Sequence, residues 1–471
     1  MNRTTAQIWQ NWAGNVTGTP AAIFTPRTQD DIKEIIQQAR RENKKVRVAG
    51  SGHSWGPLVP TDGYLIRLQH FADVSINAGK TIVTLGPAVT VDQLAQFFLD
   101  HDVCVPSSVG IGLGEATMGG VFSTGCHGSG IEMPSVSDWI VGVELIDANG
   151  EVRTYSQDKD GVRVMNMLRL SLGMCGVITA FQIRVQPMFN VHVVESKESV
   201  ASTLAGLKEL VMGNAYAEVS WMPFNDQIWV QKANVTDLPI TRDGFTPPAN
   251  PFRDKLYAAG SALALDALET TPEMTPDILR TSFQMLDPGN YVSKITHYLH
   301  CADYGFLLDR YRLLDIEVVF EIDKSFDTVR RAFAIAAEKV EEWQKNGKYP
   351  LNSTLGFRFI KNSDATLSSC RGNAYTCMAE IFSYHKTDEW AIFAGELVHA
   401  WMKELPRARL HWAKAFQYVP DTVAAIREAF GSQMTEFLEI RREIGVDPDD
   451  LFVNDVLAEL FGLAARADGG R

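Results

Sequence analysis

Apolar residues recur at helical spacing over 30–41, where Ile32, Ile35, Ile36 and Ala39 share one face of an otherwise polar stretch. Asp30 stands where a helix cap is expected. The apolar run KVRVAG (45–50) reads as a buried strand. So do GYLIRL (63–68), entered by the turn Asp62-Gly63, and TIVTLGP (81–87). Helical spacing returns over 91–101, and a long glycine-rich segment follows over 106–130. WIVGVELIDANGEVRTY (139–155) predicts a hairpin turning at Asn149-Gly150. LGMCGVITAFQIRVQP (172–187) predicts a strand that ends near Pro187. Further on, FDTVRRAFAIAAEKVEEWQKNG (326–347) is amphipathic at helical period and stops at Gly347. The polar, proline-bearing stretch 236–254 predicts a surface loop, and the tail 464–471 a frayed end. Strands joined by short turns, with helices between them, point to an α+β fold rather than a doubly wound parallel sheet. The expected division is 1–188, 189–410 and a C-terminal segment 411–471.

The chain has 471 residues, 45% of them hydrophobic, and a net charge of −13. That length can bury more than one core. The acidic balance argues against a nucleic-acid partner. The one dense basic run, 39–47, lies where a helix ends, a place that favours cations. The six cysteines form no C-x-x-C pair, and no H-E-x-x-H or P-loop occurs, so neither a metal nor a disulfide scaffold is expected. The first fifteen residues lack the apolar core of a signal peptide, and no apolar run is long enough for a membrane helix. A cytoplasmic protein without a membrane partner is the expectation.

VAGSGHSWG (48–56) has two readings. GHSWG fits the G-x-S-x-G elbow of a serine hydrolase, with Ser54 as nucleophile. That elbow needs a helix directly after the serine, and WGPLVPTDG, with two prolines, does not supply one. A nicotinamide fingerprint fails too, because the third glycine falls one residue too far. The alternative is a glycine-rich loop that presents His53 to a cofactor. A second loop, SSVGIGLGEATMGGVFSTGCHGSG (107–130), and a third, SLGMCGVIT (171–179), offer backbone N–H groups to the same elongated ligand.

Taken in this order, the motifs resemble flavoproteins of the vanillyl-alcohol-oxidase type, whose PCMH-type FAD-binding domain has two subdomains and carries a mixed α/β cap. Within that type the nearest resemblance is to the aldonolactone and alditol oxidases. NWAG (11–14) resembles the family's N-terminal signature, and VRVAGSGHSW, FSTGCHGSG and SLGMCGVIT resemble its three flavin loops. HWAK (411–414) resembles the HWxK motif of sugar-lactone oxidases, and DPDDLFVNDVLAELFG (447–462) the terminal helix. The resemblance implies an FAD covalently attached through His53. It assigns cofactor contacts to Ala49, Gly50, Ser51, Gly52, His53 and Ser54 in the first loop. In the second it assigns Ser108, Thr117, Gly120, Ser123, Thr124, His127 and Gly128, and in the third Gly173, Gly176, Val177 and Ile178. Cys126 is expected to pack as a small residue near the diphosphate rather than to form a second flavin bond.

The resemblance further implies oxidation of a CH–OH group of a small-molecule alcohol, such as a sugar lactone or polyol, by hydride transfer to flavin N5. Such a reaction needs a base and a cation near the reduced ring. Lys414 is the expected cation, Arg358 matches a substrate-side arginine, and His411 is a candidate for flavin contact or a proton route. Two residues before Arg358 the family carries an acidic residue, and here stands Gly356. Glu317, Glu321 and Glu380, in neighbouring predicted strands, are the alternatives for that carboxylate. Small residues at Ser107 and Ser108 are compatible with O2 as acceptor and H2O2 as product. A dehydrogenase using another acceptor, and a flavin-binding protein whose catalysis lapsed at Gly356, are the competing readings.

Overall fold

In a computed structural model, residues 2–5, 7–107, 114–244, 260, 263–299, 312–384 and 388–463 are described. Three sheets of four or more strands organise them, with two further two-stranded pairs. The first is small and mostly parallel: Tyr64–Arg67 lies between Ala22–Thr25 and Val46–Ala49, parallel to both, with Asn2–Thr4 antiparallel on the edge. Gln29–Arg41 supplies the crossover from Ala22–Thr25 to Val46–Ala49, past the strand that lies between them. Its four apolar residues are all buried, as their spacing predicts. The cap is Thr28 and not Asp30: the Thr28 hydroxyl accepts from the Asp31 amide, while the Asp31 carboxylate accepts from the amide of Thr28. Asp30 instead pairs with Lys33 on the surface.

The second sheet is antiparallel, in the order Val152–Ser156, Ile140–Ile146, Val177–Arg184, Ile82–Leu85 and Val74–Ile76. The predicted hairpin is present, its turn closed by the Asp147 carboxylate accepting from the Asn149 and Glu151 amides. Val91–His101 forms as expected and ends on Asp102 in the left-handed region. The third sheet has eight antiparallel strands, from Gly289–Lys294 through Asn190–Ser199, Gln227–Thr236, Tyr216–Trp221, Leu355–Ile360, Thr376–Ser383 and Leu314–Glu321 to Arg409–Leu410. The predicted long helix, Asp327–Lys345, packs beside Asp388–Glu404. Gly347 follows its cap at φ +69°. Of the predicted surface loop 236–254, residues 245–254 lie outside the described residues, as does the tail 464–471.

The basic run 39–47 is not one surface patch. Arg40 reaches the Ala148 carbonyl and Asp449, but Arg47 is buried. Its guanidinium donates to four carbonyls, those of Leu58, Leu172, Gly173 and Phe452, at 2.7–3.2 Å. One side chain thereby ties the chain around the first loop to the third loop and to the C-terminal segment. Desolvation pushes its pKa down to about 10, which leaves it charged at neutral pH. Hydrogen bonds to a charged group contribute about 1.5–3 kcal/mol each. We therefore expect Arg47→Met to lower stability by at least about 3 kcal/mol, because four buried carbonyls lose a donor at once. Urea denaturation followed by far-UV circular dichroism checks this, and an unchanged midpoint would show that the clamp is dispensable.

Candidate active site

The strand Val46–Ala49 delivers the first loop to the wall of a cavity of about 1920 Å³. Residues 49–54 all line it. The N-terminal signature fastens this loop from outside: Trp12 N–H donates to the Gly52 carbonyl at 2.8 Å, and the Asn11 amide to Ser54 O at 2.9 Å. Gly52 itself takes φ +80°. No helix follows Ser54, so the hydrolase elbow is not formed.

His53 is largely buried, with Trp12 tilted across it at 5.7 Å. Neither ring nitrogen makes a hydrogen bond, and the nearest carboxylate, of Glu115, is 3.3 Å from Nε2. Burial, with Arg312 nearby, pushes its pKa down to about 4, so the imidazole is neutral at physiological pH.

The second loop is clasped to the first. Thr117 N–H donates to the Ser51 hydroxyl at 3.2 Å, and Ser51 N–H to the Thr117 hydroxyl at 3.4 Å. A Cβ at Gly50 would stand 2.1 Å from Thr117 Oγ1, so the clasp needs a glycine there. Thr117, Gly120, Ser123, Thr124 and His127 line the cavity; Gly128 is not among the lining residues, although Ser129 is. Ser108 lies outside the described residues. Ser107 faces a separate pocket of about 60 Å³, where its hydroxyl bridges Trp139 and Pro134, so it is not a gate on the main cavity. Cys126 lines the cavity, and burial pushes its thiol up to about 11, away from a reactive thiolate. In the third loop Gly173, Gly176 and Ile178 reach the cavity. Val177 does not, because strand alternation turns it into the core beside Ile146 and Phe452.

The eight-stranded sheet closes the cavity from the other side. Its strands alternate: Leu314, Ile316 and Val318 face the core, while Asp315 and Glu317 face the cavity. Glu218, Gly356, Arg358 and Glu380 share that cavity face. Register places Glu317 opposite Glu380, Glu380 opposite Gly356, and Glu218 opposite Arg358. Glu321 falls outside, near Arg407 and the Ala374 amide. Asp315 and Glu218 were not foreseen from the sequence. Their signal was available, as polar residues at alternate positions of otherwise apolar strands.

The HWAK segment meets both walls. Trp55 N–H donates to the Ala413 carbonyl at 2.7 Å, and Lys414 Nζ lies 5.1 Å from the centre of the Trp55 ring. Lys414 bonds Asp315 and reaches Glu380 at 3.3 Å and Glu317 at 3.8 Å. Burial opposes its charge, but the carboxylates outweigh burial and hold its pKa above the ordinary lysine value. Burial pushes Asp315 and Glu218 up. Burial opposes ionisation of Glu317 as well, yet His127, His411 and Lys414 together hold it below the carboxylate range.

His411 lines the cavity with both nitrogens engaged: Nε2 is 3.1 Å from the Gly125 carbonyl, and Nδ1 accepts from Ala413 N–H at 3.2 Å. That pairing fixes a neutral tautomer and leaves no free nitrogen for a proton route. Trp412 turns into the core and donates to Leu367 O. His127, Glu317 and His411 offer ligand atoms within 4.8 Å of one another, a spacing a metal could use. The 2.8 Å hydrogen bond from His127 and the nearby Lys414 already match the Glu317 charge without one.

A family model for FAD binding domains matches residues 20–156, and one for D-arabinono-1,4-lactone oxidase matches residues 181–460. The chain belongs to the D-arabinono-1,4-lactone oxidase family. It is 26% identical to an L-gulono-1,4-lactone dehydrogenase of Mycobacterium tuberculosis, over 97% of this chain and 99% of that one. It is 25% identical to an L-gulonolactone oxidase of Bos taurus, over 96% and 98%. A solved structure of a solvent-stable cholesterol oxidase superposes with a TM-score of 0.83 at 17% identity, covering 97% of both chains, which establishes the shared α+β fold. The protein is thus an FAD-linked oxidoreductase acting on CH–OH donors. Its residues fit the cofactor: a histidine with orphaned ring nitrogens and two interlocked loops line one long cavity. Among the described residues, no helix is long and apolar enough to cross a membrane.

Two outcomes follow from this geometry. Gly50→Ala breaks the Ser51–Thr117 clasp and should lower the FAD content of purified protein at least about threefold, read from the ratio of visible to 280 nm absorbance. His411 binds its proton less readily folded than unfolded, its folded pKa being about 4 against 6.5. Its contribution to stability is therefore complete above pH 6.5 and lost as pH falls toward 4. Glu317, held low, adds a loss of the same sign below its ordinary value. His411→Asn should flatten the pH dependence of the urea midpoint between 6.5 and 4, and an unchanged slope would contradict the assignment.

Proposed function

We propose that this enzyme oxidises an aldonolactone or related polyol at a secondary or primary CH–OH, passing the electrons to O2. The observation that carries the reading is Lys414, fastened to the first flavin loop through the Trp55–Ala413 bond and facing the carboxylates of the cap sheet. The relatives named for L-gulono-1,4-lactone extend along nearly the whole chain, which supports the substrate class.

FAD, when bound, supplies the two-electron acceptor. The chain supplies attachment, orientation and charge. His53, neutral and with both nitrogens unengaged, is suited to be the nucleophile that attaches the flavin covalently. Lys414 places positive charge where negative charge gathers during the reaction. Arg358, facing the cavity from Leu355–Ile360, donates to substrate oxygens. His411 holds the Gly125 turn of the second loop and would contact the cofactor without moving protons. Each turnover takes a hydride and a proton from the alcohol to leave a carbonyl, and O2 gains two electrons and two protons to become H2O2. We place the division between flavin and cap portions near residue 188, where the eight-stranded sheet begins.

The purified protein should be yellow, and the colour should stay with the pellet after acid precipitation. In His53→Ala it should pass to the supernatant. A wild-type pellet without colour would remove the covalent role of His53. With L-gulono-1,4-lactone and a panel of aldonolactones and polyols, oxygen consumption should match substrate oxidised one to one. Turnover only with an artificial dye would instead identify a dehydrogenase. Lys414→Met should reduce kcat by about 100-fold or more, the scale of removing one charge-stabilising donor.

A further inference from the structure

Gly356 sits inside the strand Leu355–Ile360, flanked on both sides by paired strands. Its φ is not positive, so the backbone does not require glycine there. The requirement is spatial. A Cβ at 356 would stand 3.3 Å from both Cγ and Oε1 of Glu380, its direct cross-strand partner. Glycine in a strand interior marks such a close approach. The Glu380 side chain therefore leans over position 356, and a side chain there would have to push it aside by at least a few tenths of an ångström.

Glu380 is buried, and its two oxygens are divided between the two cations of the site. Oε1 accepts from Arg358 at 2.9 Å, and Oε2 faces Lys414 at 3.3 Å. A carboxylate has about four acceptor positions, so each oxygen keeps capacity for a hydroxyl from the cavity. The other carboxylates are less well placed: the oxygens that Glu317 and Asp315 leave without a hydrogen-bond partner are themselves fully buried, and burial pushes Glu218 up. Resting on the functional reading above, we propose that Glu380 is the substrate-binding carboxylate of this enzyme, transposed across the strand pair from position 356. It accepts hydrogen bonds from the hydroxyls beside the reacting carbon and holds them between Arg358 and Lys414. Gly356 is its structural counterpart, the space that lets the carboxylate cross.

The transposition can be reversed by mutation. The set is Glu380→Ala, Gly356→Glu and the double variant Gly356→Glu/Glu380→Ala, each assayed with L-gulono-1,4-lactone, or with the best substrate of the panel, and with its deoxy analogue lacking the neighbouring hydroxyl. FAD content and thermal midpoint are measured for each. Glu380→Ala should lower kcat/KM at least 30-fold, mainly through KM, while retaining FAD. It should also lose most of the preference for the hydroxylated substrate, which a purely structural ion pair would not change. Gly356→Glu should lose at least 10-fold, because two carboxylates then compete for one space. The double variant should recover to within about fivefold of wild type and regain the preference. Three results overturn the inference: Glu380→Ala within threefold of wild type, an unchanged substrate preference, or a double variant no better than Glu380→Ala. If Glu380→Ala does not accumulate folded, Glu380→Gln replaces it and the same preference ratio decides. A wild type that turns over nothing in the panel overturns the functional reading itself, and this inference with it.

Discussion

A single buried lysine decides how the two halves of this molecule meet. Lys414 faces Asp315, Glu317 and Glu380, which stand on adjacent strands of the eight-stranded sheet. Without a cation that face would set Glu317 directly opposite Glu380, a like-charge pair that a sheet does not tolerate well. The lysine comes from a segment whose next-door carbonyl, Ala413, is fixed to the first flavin loop. Electrostatic need on one wall and a backbone hydrogen bond on the other thus bring cap and cofactor loops into contact. Glu380, the carboxylate we propose for substrate recognition, is also one of the three that hold the lysine. Recognition and assembly therefore cannot be tuned separately.

The local elements were legible in the sequence because their causes are local. Helical spacing located Gln29–Arg41, Val91–His101 and Asp327–Lys345, and the Asn-Gly turn located the hairpin Ile140–Ile146 with Val152–Ser156. Motif resemblance placed most of the three loops on one cavity. Gly128 and Val177 are not among the lining residues, because a motif is a run of consecutive residues whereas a cavity wall samples only those the backbone turns inward. Ser107 faces a separate pocket, where its hydroxyl is taken by Trp139 and Pro134.

What the sequence withheld depends on register between distant segments. Gly356 looked like the loss of a carboxylate, and its meaning changed only once Thr376–Ser383 was seen beside it with Glu380 opposite. Asp315 and Glu218 were passed over although their strands alternate cleanly, because alternation marks a face without saying whether that face meets solvent or a cavity. The run 39–47 divides: Arg40 and Arg41 stand in the last helical turn, as expected there, while Arg47 points inward from a strand.

Arg47 and Lys414 are two buried cations satisfied in opposite ways, and the contrast bears on what each can do. Lys414 is held by formal negative charge, on Asp315, Glu317 and Glu380. Arg47 is held by four carbonyl dipoles, with no carboxylate paired to it among the described residues, and it too lies along the cavity wall. Dipoles can hold a guanidinium in place, but they do not neutralise it. In a poorly screened interior that residual charge extends into the cavity that Arg47 lines. The clamp that joins three chain segments thus also sets the potential of the site they enclose, and an apolar residue at position 47 would lose both effects together.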